Sequence, residues 1–118
     1  MTKPKIGWKA KIKVKLRPKD AHYKDGLVAG AKILELFGDA ATKLCLREAG
    51  VEGLFRAYKD IEFLAPVHAG DTVEATATIV KIGNTSRTMK FVATKIHSKK
   101  VVCKAIGTVV ISHPIPDI

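Results

Sequence analysis

Only one stretch of this 118-residue chain has a helical period; the other patterned stretches alternate. From Leu27 to Ala49, the residues Leu27, Ala31, Leu34, Ala41, Leu44 and Cys45 recur near helical spacing. Glu35, Asp39, Lys43 and Arg47 fall on one polar stripe, whose spacing predicts an ion-paired face. Asp25 is the expected N-cap and Gly50 the expected stop. Ala29, Gly30 and Ala31 are small enough to let something come close to the helix backbone. Gly38 costs helix stability, which predicts a packing reason for it. A lone amphipathic helix must bury its apolar side, and strands are all this chain offers it.

The strands are legible by their two-residue period. Lys9 to Leu16 reads Lys-Ala-Lys-Ile-Lys-Val-Lys-Leu, one wet face and one dry. Its lysines also discourage edge-to-edge pairing, and Pro18 ends it. Further strands are expected at Leu54–Phe63, Thr72–Ile82, Ser86–His97 and Val101–Ser112. Turns at Leu64–Asp71, Gly83–Thr85 and Ser98–Lys100 separate them. The tail His113-Pro114-Ile115-Pro116 cannot continue a central strand. The order is strand, helix, then four strands, an α+β class. A curved antiparallel sheet wrapped around one long central helix is the hot-dog arrangement, and residues 1–118 are expected to form one such domain.

Composition narrows the function classes. Hydrophobic residues make up 47% of the chain, enough for a core, but no apolar run is long enough to span a bilayer. After Met1-Thr2-Lys3-Pro4-Lys5 no continuous apolar run follows, so a cytoplasmic protein is expected. Cys45 and Cys103 lack metal or disulfide spacing and are expected as reduced core thiols. The His and Cys residues make no metal site, and His68, His97 and His113 have no partner pattern. The formal charge of +10 suggests a polyanionic partner, either nucleic acid or a phosphate-bearing ligand. The lysines are spread along the chain without an arginine-rich run, which ranks nucleic acid last.

Several blocks are more specific. Lys19-Asp20-Ala21-His22-Tyr23 precedes Leu27-Val28-Ala29-Gly30-Ala31, and Leu36-Phe37-Gly38-Asp39-Ala40-Ala41-Thr42 follows. Gly53-Leu54-Phe55-Arg56-Ala57-Tyr58 runs into Ile61-Glu62-Phe63-Leu64-Ala65-Pro66-Val67, and Gly83-Asn84-Thr85-Ser86-Arg87 comes later. Together, from about Asp20 to Lys95, they resemble the 3-aminobutyryl-CoA and β-alanyl-CoA ammonia-lyases, a hot-dog family. Two features depart from that family: the short Ser98–Lys100 connection and Lys43 in place of an acidic residue.

The resemblance implies reversible loss of ammonia from a β-amino acyl-CoA, giving an enoyl-CoA such as crotonyl-CoA. It implies no cofactor, because the thioester itself acidifies the neighbouring carbon. It also implies a homodimer with joined sheets and sites between subunits, with hexamers among relatives, and a setting such as lysine fermentation. That chemistry needs a base, donors for an enolate oxygen and an acceptor for the ammonium group. Open amides near Val28, Ala29 and Gly30 at the helix start suit the thioester oxygen. Glu62, flanked by Ile61, Phe63 and Leu64, is the preferred base, because burial would raise its pKa; the competing reading puts it with Asp60 on the wet face of a strand. Asp20 would bind the ammonium group or orient His22, with Tyr23 at the site mouth; Asp60 and Asp39 are weaker candidates. Asn84, Ser86, Arg87 and Lys90 are expected to meet the CoA phosphates. The competing reading is an acyl-CoA thioesterase, which would activate water instead of removing a carbon proton.

Overall fold

The computed structural model describes residues 3–21, 23–50 and 52–111. Alternation at the start of the chain yields strand β1, Lys9–Lys15, with each lysine exposed and Ala10, Ile12 and Val14 half-buried beneath. Two short 3-10 turns, Pro18–Asp20 and Lys24–Gly26, lead to the helix α1, Gly30–Ala49. Strands β2 (Leu54–Phe63), β3 (Thr72–Ile82), β4 (Ser86–Lys95) and β5 (Val101–Val110) follow. They form a five-stranded sheet in the order β1-β3-β4-β5-β2, with every neighbouring pair antiparallel. β1 and β2 are therefore its two edges.

The helix lies on the inner face of this sheet. Ile33, Leu36, Phe37, Ala40, Ala41, Leu44 and Cys45 are its buried residues. They meet a sheet centre rich in alanine, where Ala75, Ala77 and Ala93 are fully buried. Small side chains there let the helix settle close, and Phe37 stacks on Phe91 with ring centroids 5.1 Å apart. Each buried Phe or Leu in this layer contributes about 1.5–3 kcal/mol relative to exposure. Gly107 gives the sheet room to turn towards β2: a side-chain carbon there would come 2.7 Å from both Phe55 and Phe91. Cys45 and Cys103 are buried free thiols, and burial pushes Cys103 up to about 11.

Several boundaries differ from the sequence reading, each for a local reason. α1 begins at Gly30 rather than Leu27, because Val28 is drawn into a backbone bond with Val67 (2.8 Å) and Leu27 bridges to His68. Its N-cap is Ala29, with no side-chain cap, while Asp25 sits in the preceding turn at φ 64°. Gly50 does end the helix, at φ 71°, and donates to the Leu46 carbonyl. β4 stops at Lys95, and β5 at Val110. The expected end at Ser112 and the tail from His113 lie outside the described residues. Gly38 has no packing reason within this chain, since an added methyl would meet open space.

Candidate active site at the helix N-terminus

Backbone hydrogen bonds fasten the approach to α1. Gly70 donates to Leu16 O (2.7 Å), Ala69 to Gly26 O (2.8 Å) and Val28 to Val67 O (2.8 Å). These bonds tie the Leu16–Val28 segment to the turn after β2. They also correct one expectation: the Val28 amide is committed and is not an open donor. Ala29, Gly30 and Ala31 have no backbone acceptor among the described residues, so their N–H groups are the orphan donors of this helix. The helix dipole adds to their pull on negative charge.

Beside Gly30 opens a cleft of about 430 Å³, walled by Leu27, Val28, Ile33, the Phe63–Val67 segment and Val102. Among the described residues, no lining side chain is polar. The Phe63 ring lies against Gly30, where an added methyl carbon would come within 2.6 Å of it. This ring is what the small residue accommodates. On the other flank of the helix start, Lys19, Asp20, Ala29, Ala31, Lys32 and Glu35 line a polar depression of about 320 Å³. The first turn of α1 thus separates an apolar recess from a charged one.

The expected site residues are not all gathered here. Asp20 lies on the charged flank, where its carboxylate accepts the Arg17 amide (2.8 Å) and faces Lys32 (3.6 Å). The Arg17 amide, with Lys32 and Lys19 helping against partial desolvation, holds this carboxyl below the usual aspartate value. Tyr23 is exposed, and His22 lies outside the described residues. Glu62 is exposed, and Ile61, Phe63 and Leu64, expected to enclose it, are exposed as well. Its register partner is exposed Lys104, whereas Phe63 pairs with buried Cys103. Phe63 therefore points to the cleft and Glu62 to the opposite face of the sheet. The cause is a bulge at Asp60 and Ile61, with Asp60 at φ 53°.

The CoA-binding group is also rearranged. Arg87 is buried and makes a fork with Glu48: Nε donates to Oε1 (2.9 Å) and Nη2 to Oε2 (2.6 Å). Its Nη1 donates to the carbonyls of Gly83 (3.0 Å) and Ser86 (2.8 Å). A guanidinium so occupied is not a phosphate ligand, which corrects the sequence reading. Asn84 is exposed in the turn beside it and Ser86 half-buried, while Lys90 lies on the outer face of the sheet near Lys9 and Lys11. Glu48 is eighteen residues beyond Gly30, so this turn is about 27 Å from the cleft of its own chain.

The polar stripe of α1 is not the ion-paired face expected from spacing. Glu35 pairs with Lys32 (3.4 Å), Lys43 donates to the Lys11 carbonyl (2.9 Å), and Arg47 lies 3.9 Å over the Trp8 ring. Asp39 is exposed and is the one carboxylate of α1 without a partner among the described residues. Sequence reasoning also missed the tie between β2 and the helix, Tyr58 Oη donating to Leu34 O (2.9 Å). A carboxylate in the last turn of a helix opposes the dipole, so Glu48 was the available signal for a buried cation.

The fold and cleft fit the comparison with known proteins. The thioesterase superfamily model matches residues 25–102, spanning the helix start, the cleft and the turn. A curated 3-aminobutyryl-CoA ammonia lyase from Acetoanaerobium sticklandii is 44% identical over 118 aligned positions, covering 87% of this chain and 94% of the relative. The chain belongs to the thioesterase superfamily and, within it, to the CoA ammonia-lyase family. Among solved structures, β-alanyl-CoA:ammonia lyase from Clostridium propionicum superposes with a TM-score of 0.83 at 35% identity, covering 92% of this chain and 87% of that one. A hexameric thioesterase from Yersinia pestis superposes at 0.79 with 19% identity, over 92% and 89% of the two chains, which shows a shared fold. This ammonia-lyase family member thus has the hot-dog architecture expected from its sequence.

Proposed function

We propose that this protein is a 3-aminobutyryl-CoA ammonia-lyase-type enzyme, eliminating ammonia reversibly from a β-amino acyl-CoA to give an enoyl-CoA such as crotonyl-CoA. The observation that carries this reading is the apolar cleft at a helix start with open amides. The 44% identical relative supports the same chemistry. The acyl group lies in the cleft, and the N–H groups around Gly30 hold the thioester oxygen as it gains charge. A carboxylate takes the α-proton; the C–H pair becomes the new double bond, and the C–N pair leaves with ammonia. The thioester makes that proton acidic enough without a metal or prosthetic group.

The described residues that line the cleft supply no acid or base, and in this reading a second copy of the chain supplies one. β2 is an unpaired edge displaying Leu54, Phe55, Ile61 and Phe63, and it fits an antiparallel pair with its own copy. Such pairing sets the Leu54 end of one β2 beside the Phe63 end of the other. Leu54 pairs with Val110, which pairs with Ser86, so Ser86, at the foot of the Asn84 turn, lies about 10 Å, two strand spacings, from Leu54. The dimer thereby closes the 27 Å gap, and Asn84 and Ser86 meet the CoA phosphates in trans. The uncommitted Asp39, also from the second copy, is the base in preference to Glu62. Further assembly into a hexamer and a cytoplasmic setting such as lysine fermentation are consistent with this reading. No helix among the described residues is long and apolar enough to cross a membrane.

The thioesterase reading is favoured by the superfamily match alone. Incubation with crotonyl-CoA separates the two. The lyase consumes the enoyl absorbance only when ammonium is present and frees no thiol. Release of free thiol without ammonium would overturn the lyase in favour of hydrolysis.

A further inference from the structure

The one buried charged side chain among the described residues sits far from the cleft and has no chemical step to perform. We infer that the Arg87–Glu48 fork is a positioning device that fixes the shape of the Gly83–Ser86 turn, and through it the grip on the nucleotide end of CoA. The inference rests on the proposed trans placement of that turn. A buried ion pair is poor evidence for stability, because desolvation offsets most of its attraction. Its retention here has a geometric consequence instead. Four of the five guanidinium N–H groups are engaged, two by Glu48 and two by carbonyls of a single turn. The fork therefore sets the last turn of α1 and the β3–β4 connection at one fixed distance.

The turn is built to be held. Gly83 donates to Ser86 O (2.8 Å), and a methyl at Gly83 would strike the Ser86 hydroxyl. Ile111 donates to the Thr85 carbonyl (2.8 Å), bracing the turn from β5. Asn84 and Thr85 are left exposed at the tip. Glu48 raises the guanidinium pKa, chiefly through its hydrogen bonds to Arg87. Lysine cannot replace it, because a point cation cannot serve a carboxylate and two carbonyls in one plane.

The experiment compares crotonyl-CoA with crotonyl-pantetheine, which lacks the nucleotide phosphates. Arg87→Lys is expected to raise KM for crotonyl-CoA about tenfold, with kcat within twofold and KM for crotonyl-pantetheine within twofold. Glu48→Gln, which keeps the shape of its partner, should give the same split more weakly if Arg87→Lys fails to fold. Asn84→Ala reports on the turn itself, without touching the fork. A selective KM effect in Asn84→Ala but in neither fork variant overturns the positioning role. No selective effect in any of the three overturns the trans placement of the turn. A parallel rise in both KM values, or a fall in kcat alone, also counts against the proposal.

Discussion

The two edges of the sheet are opposites. β1 presents Lys9, Lys11, Lys13 and Lys15, all exposed, on a regular ladder with no register shift. β2 carries two register shifts and leaves Leu54, Phe55, Ile61 and Phe63 between 37% and 56% exposed. A row of lysines repels a second strand, whereas an apolar edge with free backbone groups invites one. The net positive charge of this chain thus has a local use at β1, one that needs no nucleic acid. Exposure along β2 is what the proposed pairing with another copy would cover, and the cleft opens beside its end.

The largest effect is expected when β2 is made to resemble β1. Leu54→Lys combined with Ile61→Lys should convert the proposed dimer to monomer in sedimentation and reduce activity more than 100-fold, by loss of the groups proposed to act in trans. A fully active double variant would remove β2 from the assembly. Next comes the base. Asp39→Asn should lower kcat by about 10²–10⁴, the usual scale for a general base, with Glu62→Gln changing it less than threefold. The reverse outcome would return the role to Glu62. Gly30→Ala should cost about 1–3 kcal/mol of stability by overpacking against Phe63, read as a lower Tm. Adding Phe63→Leu should recover much of that loss.

Burial pushes the Tyr58 phenol up to about 12 from an ordinary value of 10. The folded state favours the protonated donor that holds Leu34 O. Its contribution is therefore complete below pH 10 and is lost as pH rises towards 12. Thermal melts across that window should show a steeper decline than Tyr58→Phe shows. Gly38→Ala should raise stability by roughly 1 kcal/mol from helix propensity, because the space above it is open in the single chain. A lower Tm would reveal a second copy pressed against this helix face.

Most strand limits were legible because each strand has one dry and one wet side. β2 and β3 fall at the expected residues, and β1, β4 and β5 end one or two residues early. The helix C-terminus was equally legible, since Gly50 alone tolerates the left-handed backbone there. The helix start was not, because the Val28–Val67 bond that delays it joins residues far apart in sequence. The exposure of Glu62 was hidden for a similar reason: apolar neighbours along a strand suggest burial, but within one chain an edge strand has no cover on its free side. Spacing could propose ion pairs along α1, yet it could not show that Arg47 prefers Trp8 and Lys43 prefers a β1 carbonyl, leaving Asp39 unspent.

By itself, the order of polar and apolar residues determined one helix, five strands, a guarded first edge and a helix start crowded with small side chains. These are local properties, fixed by periods of 3.6 and 2 and by the backbone freedom of glycine. Folding alone settled which carboxylates are spent, that Arg87 belongs to Glu48, and that no described side chain lining the cleft is polar. Those outcomes depend on distances between residues remote in the chain, which no spacing along it encodes.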